Sequence, residues 1–446
     1  MLEKIANTNN YLAHLCDDIV HRNEAVKNKT RSSESIKRGL RNSDGTGVVA
    51  GCTQIGSVMG YTMVDGEREP MEGQLYYAGY SVSDLVKGYI EEDRFGFEEV
   101  AYLLLIGELP SAMQLESFKQ FLYDNMALPD RFTEDMIMRQ PSKDIMNQLG
   151  RSVLALYSAD NNADDIAIEN VITQCSQLIA RFPIIIANSY VAKRHYFDDA
   201  SLHLHRPLPG LSIAENFLRS IRPDQQYTKE EAKLLDLCLC IHAEHGGGNN
   251  SSFVCRALTS SGTDTYAAIA GAVSSLKGPK HGGANAKVMA MFAEIKENVK
   301  DWKNREEVAN YLRLILTKKA GDGSGLVYGM GHAIYTLSDP RAVLLREHAR
   351  SLAEKTGKMD ELELYELVEE LTPGVFAEVT GKEKVMCANV DMYSGLIYSM
   401  LGISPELYTP VFAMARITGW CAHRMEELIT CGRIMRPGYK ALFRRR

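Results

Sequence analysis

The sequence predicts a mostly α-helical protein with a minor N-terminal β element. Apolar residues recur every three or four positions in FEEVAYLLLIG, residues 97–107, and in REEVANYLRLILTKK, residues 305–319, which is the period of an amphipathic helix. The alternation of apolar and polar residues that is typical of half-buried strands is nearly absent after Ser81. Helices are therefore expected to supply most of the fold.

Before Ser81 the sequence has a different character. Residues 1–45 are polar, and their second half is a Ser-, Arg- and Lys-rich link, so we expect them to form an arm. From Gly47 to Gly79, short β-like segments are interrupted by Gly and Pro. These segments predict the minor β element.

Several local signals mark helix boundaries farther along the chain. Thr228 followed by Glu231 has the spacing of a capping box, and Thr409-Pro410 is typical of a helix start. The polar segment EKTGKMDE, residues 354–361, predicts a bend between two helices.

The composition is that of an ordinary globular protein, with 45% hydrophobic and 24% charged residues among 446. A formal net charge of -7 argues against a dedicated nucleic-acid surface, which needs clustered cations. No run approaches the roughly 20 apolar residues that span a bilayer. The nine cysteines include no CxxC pair, and the polar N-terminus has no apolar targeting segment, so we expect a reducing, cytoplasmic location.

Four histidines lie in glycine-rich segments: His242 and His245 in CIHAEHGGGNN, His281 in LKGPKHGGANAKV, and His332 in GMGHAIYTLSDPRA. A single histidine of this kind is more often structural than functional, but several together favour a site. The spacing of His242 and His245 could place two metal ligands on one helix face. However, H-A-E-H is not the H-E-x-x-H metalloprotease pattern, and no further ligands stand at zinc spacing, so no metal is predicted.

Two charged residues stand alone in apolar stretches. Asp391 is the acid in VMCANVDMYSGLIYSMLGI, and Arg416 is the charge in PVFAMARITGWCA. Each could belong to a structural salt bridge. The alternative is an active site, because a desolvated carboxylate becomes more basic and a buried guanidinium binds anions. With Arg341 and Arg436, the chain has three candidate arginines, enough to bind a small dicarboxylate.

These segments together resemble the citrate synthase family, in its si type. The signature of that family appears as GMGHAIYTLSDPR, residues 329–341, and the blocks IHAEHGGGNNSSF, GPKHGGAN, NVDMYSG, ARITGWCAH and RPGY follow the family's order. The resemblance covers roughly residues 45–440. It implies condensation of acetyl-CoA with oxaloacetate and hydrolysis of citryl-CoA, the entry step of the tricarboxylic acid cycle.

The resemblance also implies a domain organisation. A large helical domain would comprise residues 46–283 and 397–446, and a small helical domain residues 284–396, with the active site in the cleft between them. The polar arm, residues 1–45, lies outside this scheme.

The catalytic roles that the resemblance implies fall on three residues. Asp391 would remove a proton from the acetyl-CoA methyl group, His281 would donate a hydrogen bond to the enolate oxygen, and His332 would polarise the oxaloacetate carbonyl. His281 should be neutral, and if Pro279 opens a helix, the helix dipole would lower the pKa of His281.

Substrate binding is implied for two further groups of residues. His242, Arg341, Arg416 and Arg436 would bind oxaloacetate. The residue that matches Arg436 reaches into the neighbouring subunit's site in the family, which implies a homodimer. The CoA adenine pocket would be lined by the backbone of Val327, Tyr328, Gly329, Met330 and Gly331. Acetyl-CoA is a substrate here, so no metal or redox cofactor is expected.

The chain departs from the family pattern at two positions. Many members carry Lys or Arg four residues after the signature histidine, where this chain has Thr336, which removes a phosphate contact. Met330 stands where an aromatic residue is commoner. Neither belongs to the implied acid-base set.

Two rival functions remain open at this point. A 2-methylcitrate synthase would share the same machinery and use propionyl-CoA, because one methylene in a pocket changes binding by only about 1–3 kcal/mol. A helical binding protein without catalysis would have kept the fold and lost functional groups, yet all of the implied groups are present.

Overall fold

The computed structural model describes most of the chain. The described residues are 13, 16, 17, 19–21, 24, 36–43, 46–64, 67–430, 432–439 and 441. The chain divides into two compact units, one of residues 1–52 with 436–446 and one of residues 53–435. Most of the predicted arm lies outside the described residues. The predicted boundaries of the large and small domains stay a prediction.

In the first unit, a short 3-10 turn spans Arg38–Leu40, and Arg41 and Gly47 form an isolated antiparallel bridge. The second unit begins with a three-stranded antiparallel sheet of strands β1 Gly56–Val64, β2 Glu67–Tyr77 and β3 Tyr80–Ser81, in that spatial order. The β element predicted for residues 47–79 is therefore confirmed from Gly56 onward, whereas residues 48–55 form no strand.

The rest of the second unit is helical, which confirms the predicted fold class. Its α-helices are α1 Val82–Glu91, α2 Phe97–Ile106, α3 Ala112–Asp124, α4 Ile145–Leu156, α5 Ile168–Phe197, α6 Ile213–Ile221, α7 Lys229–His242, α8 Asn250–Thr259, α9 Thr265–Lys277, α10 Ala284–Asn298, α11 Arg305–Leu316, α12 Pro340–Thr356, α13 Met359–Thr380, α14 Asp391–Met400 and α15 Tyr408–Thr430. Short turns of 3-10 or π helix add Thr133–Met138, Tyr157–Ala159 and Pro405–Leu407.

The boundary signals in the sequence match most of these helices. The capping box of Thr228 and Glu231 opens α7, with the Thr228 hydroxyl 3.2 Å from the Glu231 amide. Thr409 lies in the first turn of α15, and the predicted bend falls between α12 and α13. The conditional prediction for Pro279 is wrong, because α10 begins at Ala284 and Pro279 lies in the preceding turn.

Helix α15 lies at the centre of the core. It packs against α5, α7, α8 and α9, and nearly all of its side chains from Tyr408 to Glu427 are buried. Apolar residues occur on every face of α15, which favours an enclosed position, although the helix also buries Arg416, His423 and Arg424. Helices α10 to α14 pack on one another, with α14 between α10 and α12.

Across the described residues, no helix is both long and apolar enough to serve as a membrane span.

Candidate active site

A cleft of about 350 Å³ lies within the second unit and collects most of the predicted site residues. Its lining includes seven of them: His242, His281, Gly331, His332, Arg341, Asp391 and Arg416. They come from six separate segments: the ends of α7, α12 and α14, the turn before α10, the loop before α12, and the middle of α15. The fold thus brings together side chains that are up to 174 positions apart, as His242 and Arg416 are.

His332 is held in one neutral tautomer by its own loop. Its Nδ1 atom accepts hydrogen bonds from the backbone N–H groups of Ile334 and Tyr335, both at 3.1 Å. Burial and then the charge of Arg341 lower the pKa of His332 to about 4, against the opposing effect of Asp339. A neutral imidazole that accepts at Nδ1 carries its hydrogen on Nε2. His332 can therefore donate one hydrogen bond from Nε2 into the cleft.

Asn389 connects the His332 loop to the start of α14. Its side-chain Nδ2 donates to the Gly331 carbonyl at 2.9 Å, and its Oδ1 accepts from the Asp391 backbone N–H at 3.0 Å. Its backbone N–H also donates to the Gly329 carbonyl at 2.8 Å. One amide side chain thus fixes the spacing between His332 and Asp391.

Asp391 is the first residue of α14 and its carboxyl group lies in the cleft. Burial raises its pKa to about 6, and the charges of Arg341 and Arg416 only partly oppose this increase. A carboxylate with this pKa is ionised at pH 7 and is more basic than an exposed aspartate. These are the properties of a general base.

His281 lies in the turn between α9 and α10 and is bonded to a buried hydroxyl. Its Nε2 is 3.0 Å from the Oγ atom of Ser251, and Trp420 Nε1 donates to the same oxygen at 3.1 Å. Asn249 Oδ1 is also 3.0 Å from it. Burial, followed by the charge of Arg416, lowers the pKa of His281 to about 4, so this ring is neutral as well. The helix dipole expected from Pro279 is not needed for this shift.

Arg341 reaches the cleft with one face of its guanidinium already paired. Asp339, the N-cap of α12, accepts from Arg341 Nε at 3.0 Å and from Nη2 at 2.7 Å. Burial lowers the pKa of Arg341, but the charge of Asp339 and its hydrogen bonds, with smaller contributions from Tyr335 and Tyr77, together outweigh burial, so the net shift is upward. The remaining nitrogen, Nη1, is the one that Asp339 does not bind.

Arg416 is 1% exposed and has fewer partners. Its Nε donates to the His242 carbonyl at 2.6 Å, and its Nη1 has no hydrogen-bond partner among the described residues. Burial lowers its pKa to about 10, and the charge of Glu244 opposes this decrease. At pH 7 Arg416 is a buried cation with donors left over for an anion.

His242 and His245 differ in what they can offer to a ligand. His242 Nδ1 donates to the Cys238 carbonyl at 2.6 Å, which leaves only an acceptor at Nε2 of the neutral ring. Burial lowers the pKa of His242 to about 3. His245 packs edge-on against the His332 ring, 5.2 Å between centroids, and its buried Nε2 has no partner within the described chain. The sequence analysis grouped His245 with the glycine-flanked histidines that favour a site and weighed it as a metal ligand, but assigned it no role in substrate binding.

The other predicted binding residues, apart from Gly331, are not part of the cleft lining. Of the five backbone positions assigned to CoA, Gly331 lines the cleft, and Val327, Tyr328, Gly329 and Met330 are not part of its lining. Tyr328 instead donates its hydroxyl to Asp322 at 2.5 Å. Arg436 is exposed and belongs to the first unit, so its role stays a prediction. The roles of all these residues in CoA or oxaloacetate binding stay predictions.

The chemistry that the cleft allows follows from its charges. It combines one carboxylate of raised pKa, four neutral imidazoles and two guanidinium groups. Within the described residues, no group of three or more His, Cys, Asp or Glu side chains is arranged to hold a metal ion. Such a site can abstract a weakly acidic proton next to a carbonyl and bind a small dianion. It defines the protein as an acid-base enzyme acting on carboxylated substrates.

Comparison with known proteins identifies the family. The model of the citrate synthase C-terminal domain family matches residues 44–438. The citrate synthase of Deinococcus radiodurans is 33% identical over 368 residues, which are 82% of this chain and 89% of that protein. The 2-methylcitrate synthase of Shewanella oneidensis is 32% identical over 370 residues, 81% of this chain and 87% of that protein.

A solved structure agrees with this assignment. The ternary complex of citrate synthase from Thermoplasma acidophilum with carboxymethyl coenzyme A and oxaloacetate superposes with a TM-score of 0.74 at 26% identity, covering 93% of this chain and 98% of that one. The chain belongs to the citrate synthase family.

Proposed function

We propose that this protein condenses acetyl-CoA with oxaloacetate and hydrolyses the resulting citryl-CoA to citrate and CoA. The observation that carries the proposal is the placement of Asp391, His281 and His332 around one cleft that also holds two buried arginines. Each of these groups has the protonation state that the reaction requires at neutral pH.

The first step is enolisation of acetyl-CoA. Asp391 takes a proton from the methyl group, and the negative charge moves to the thioester oxygen. The Ser251 hydroxyl has one hydrogen and lies 3.0 Å from two acceptors, Asn249 Oδ1 and His281 Nε2. We propose that during the reaction the hydrogen is donated to His281 Nε2, which leaves the ring hydrogen on Nδ1. His281 Nδ1–H then donates to the enolate oxygen without requiring an imidazolium.

The second step forms the carbon–carbon bond. The enolate carbon attacks the keto carbon of oxaloacetate while His332 Nε2–H donates to the keto oxygen, which takes up the negative charge. One proton, equivalent to the one that Asp391 removed, then converts this oxygen to the hydroxyl of citryl-CoA and leaves Asp391 ionised. Arg416 Nη1 and Arg341 Nη1 bind the carboxylates. We propose that His245 supplies the neighbouring hydrogen bond, because the neutral His242 ring offers only an acceptor there. Water then cleaves the thioester of citryl-CoA and releases the CoA thiol.

The cellular setting and assembly are part of the same proposal. The protein acts as a cytoplasmic homodimer at the entry of the tricarboxylic acid cycle, with Arg436 completing the site of the partner subunit. The exposure of Arg436 supports this role, because an arginine that serves another subunit must be accessible at the surface of its own. Sedimentation and the oxaloacetate dependence of turnover, measured for the wild type and Arg436→Gln, test this proposal. We expect the wild type to be a dimer and Arg436→Gln to bind oxaloacetate more weakly. A fully active monomer contradicts the proposal.

Release of CoA thiol from acetyl-CoA, measured with and without oxaloacetate, tests the proposed reaction. We expect release that depends on oxaloacetate, is unaffected by a chelator and is faster with acetyl-CoA than with propionyl-CoA. Release at equal rates without oxaloacetate, or none at all, contradicts the proposal.

A further inference from the structure

The hairpin of β1 and β2 contains an interruption in its ladder of hydrogen bonds. Met59 pairs with Gln74, but the next pair is Tyr61 with Pro70. Gly60 on β1 therefore faces three residues of β2, 71–73, that have no ladder partners. An irregularity of this kind leaves backbone N–H and C=O groups to be satisfied by something else.

Two side chains of the loop between His332 and α12 satisfy these groups. Thr336 Oγ1 accepts from the Met71 N–H at 3.2 Å and donates to the Gly60 carbonyl oxygen. Ser338 Oγ accepts from the Gly73 N–H at 3.0 Å and donates to a carboxylate oxygen of Glu72. The strands and the loop are more than 260 positions apart in the chain.

The two glycines of the interruption allow the loop backbone to approach closely. A Cβ atom on Gly60 would lie 2.5 Å from the Cα of Tyr335 and 2.6 Å from the Ile334 carbonyl oxygen. A Cβ atom on Gly73 would overlap the Ser338 carbonyl oxygen. Any larger residue at either position would displace the loop from the hairpin.

The same loop residues set the state of His332. Ile334 and Tyr335, which contact Gly60, are the residues whose N–H groups bind His332 Nδ1. On the other side of the loop, Ser338 directly precedes Asp339, the partner of Arg341. The loop residues that contact the hairpin thus lie, along the chain, between His332 and the Asp339–Arg341 pair, and both of these supply groups to the cleft.

We propose that the interrupted hairpin is a clamp that positions the His332 loop, and that Thr336 is its principal positioning residue. The clamp is defined here as Gly60 and residues 71–73 on the hairpin with Thr336 and Ser338 on the loop. This inference rests on the proposed function, since it assigns the clamp to the step in which His332 polarises a keto group. It also accounts for Thr336: its hydroxyl is bound to the hairpin and is not available to a substrate phosphate.

The experiment compares Thr336→Val with Thr336→Ser, both in the full-length protein. Valine keeps the shape of the side chain but can neither accept from Met71 nor donate to Gly60, whereas serine restores both bonds. Thr265→Val is the control, since the Thr265 hydroxyl also makes two hydrogen bonds, to Arg424 and Gln174, in the core and away from the cleft. We expect kcat to fall about 10-fold to 100-fold in Thr336→Val, with the KM for acetyl-CoA within about twofold of the wild type, and near-normal kcat in the other two.

Hydrogen exchange of the peptide covering residues 332–338 supplies a measurement that does not depend on turnover. Its amides should exchange faster in Thr336→Val than in the wild type, Thr336→Ser and Thr265→Val. If Thr336→Val does not fold, Ser338→Ala is held to the same two criteria. Three results would each overturn the clamp. They are a wild-type kcat in Thr336→Val, an equal loss of kcat in Thr265→Val, and unchanged hydrogen exchange of the loop peptide in Thr336→Val. An inactive wild type would refute the proposed function alone, because the exchange comparison would still decide whether the clamp holds the loop.

Discussion

Two buried arginines on helix α15, Arg416 and Arg424, differ in how their guanidinium groups are satisfied. Both are at most 1% exposed. Arg424 donates from all three nitrogens: to Thr265 Oγ1 at 3.0 Å, to Thr259 Oγ1 at 3.2 Å and to the Thr263 carbonyl at 2.9 Å. Arg416 donates to one backbone carbonyl, and its Nη1 has no partner in the described chain. Leaving such a donor unpaired is costly, so its retention indicates a ligand.

The same contrast separates two histidines near this helix. His423 is fully buried, with Nε2 2.9 Å from Glu244 Oε1 and Nδ1 accepting from Arg256 Nε at 3.1 Å. His245 has a buried Nε2 that no described residue binds. The polar groups of Arg424 and His423 are bonded within the fold, whereas Arg416 and His245 each have an unpartnered nitrogen and line the cleft. In these two pairs, hydrogen bonding separates the structural from the functional group where burial alone does not.

The largest expected effect on turnover comes from replacing the Asp391 carboxyl group in the cleft, compared with the Asp236 carboxyl group away from it. Asp391→Asn removes the general base, so we expect kcat to fall by about 10²-fold to 10⁴-fold with little change in oxaloacetate binding. Asp236 is the matched control, since it accepts from the Gly96 and Phe97 N–H groups at 2.7 and 3.2 Å and lies away from the cleft. Asp236→Asn should reduce stability by about 1–3 kcal/mol and leave kcat unchanged.

Thiol-release kinetics and urea unfolding of both variants distinguish these outcomes. Turnover of Asp391→Asn above a tenth of the wild-type rate would remove Asp391 from the role of base. A comparable loss of kcat in Asp236→Asn would show that the hydrogen-bonding of a buried polar group does not indicate whether its role is structural or catalytic.

The two arginines give the next largest effect. Arg416→Gln should weaken oxaloacetate binding by about 100-fold, equivalent to about 3 kcal/mol, because a buried donor to a carboxylate is lost. Arg424→Gln should instead lower the free energy of unfolding by about 2–4 kcal/mol, since three bonded acceptors lose a charged donor. Calorimetric titration with oxaloacetate and urea unfolding measure the two quantities. Normal oxaloacetate binding in Arg416→Gln together with weakened binding in Arg424→Gln would contradict the roles assigned to the two arginines.

The sequence predicted the residues of the site better than their partners. Asp391 and Arg416 could be found because each is a lone charge in an apolar stretch, and His281 and His332 because glycines flank them. Their convergence on one cleft depends on contacts between distant segments, which no local pattern shows. The predicted role of His242 was drawn from its motif, but the tautomer imposed by the Cys238 carbonyl appears only in three dimensions.

The fold was predictable to a similar degree. The helical period and the capping box gave the helices correctly, because both are properties of neighbouring residues. The start of the β element was placed too early, since the Gly-rich segment before Gly56 has a strand-like composition but pairs with nothing in the sheet. The contact between Thr336 and the hairpin was not foreseeable, because it requires an irregularity in the strand register.

A smaller effect on kcat is expected at Ser251, a residue whose polar group is fully hydrogen-bonded. Its hydroxyl is buried and bonded like a structural group, but one of its partners is His281. Ser251→Ala removes the donor to His281 Nε2, so we expect kcat to fall about tenfold, the equivalent of one hydrogen bond of about 1.4 kcal/mol. Ser252→Ala is the control, because Ser252 Oγ is buried without a partner in the described chain. Equal kcat in the two variants would separate the Ser251 hydroxyl from catalysis.

The pH profile of the wild type tests Asp391, His281 and His332 together. Asp391 acts only when ionised, so kcat/KM should rise with pH, reach half its plateau at about pH 6 and lose about tenfold per unit below that. His281 and His332 have pKa values of about 4, so both stay neutral through this range and add no second limb. An ascending limb centred near pH 4 would mean that burial does not raise the pKa of Asp391.

Stability should respond to pH in the opposite sense for the two kinds of group. The folded pKa of Asp391 lies above the unfolded value of about 3.9, so its contribution favours folding at low pH and is lost as pH rises through about 6. The folded pKa values of His281 and His332 lie below the unfolded value of about 6.5, so their contribution is present above that pH and is lost as pH falls toward 4. His242, with a pKa lowered to about 3, contributes in the same sense as these two histidines. Because three histidines oppose one carboxyl group, net stability should decrease on acidification from pH 6.5 to 4, and more steeply in Asp391→Asn, where the compensating proton uptake is absent. Urea unfolding of both proteins across this range measures the difference, and parallel curves would show that Asp391 titrates alike in the folded and unfolded chains.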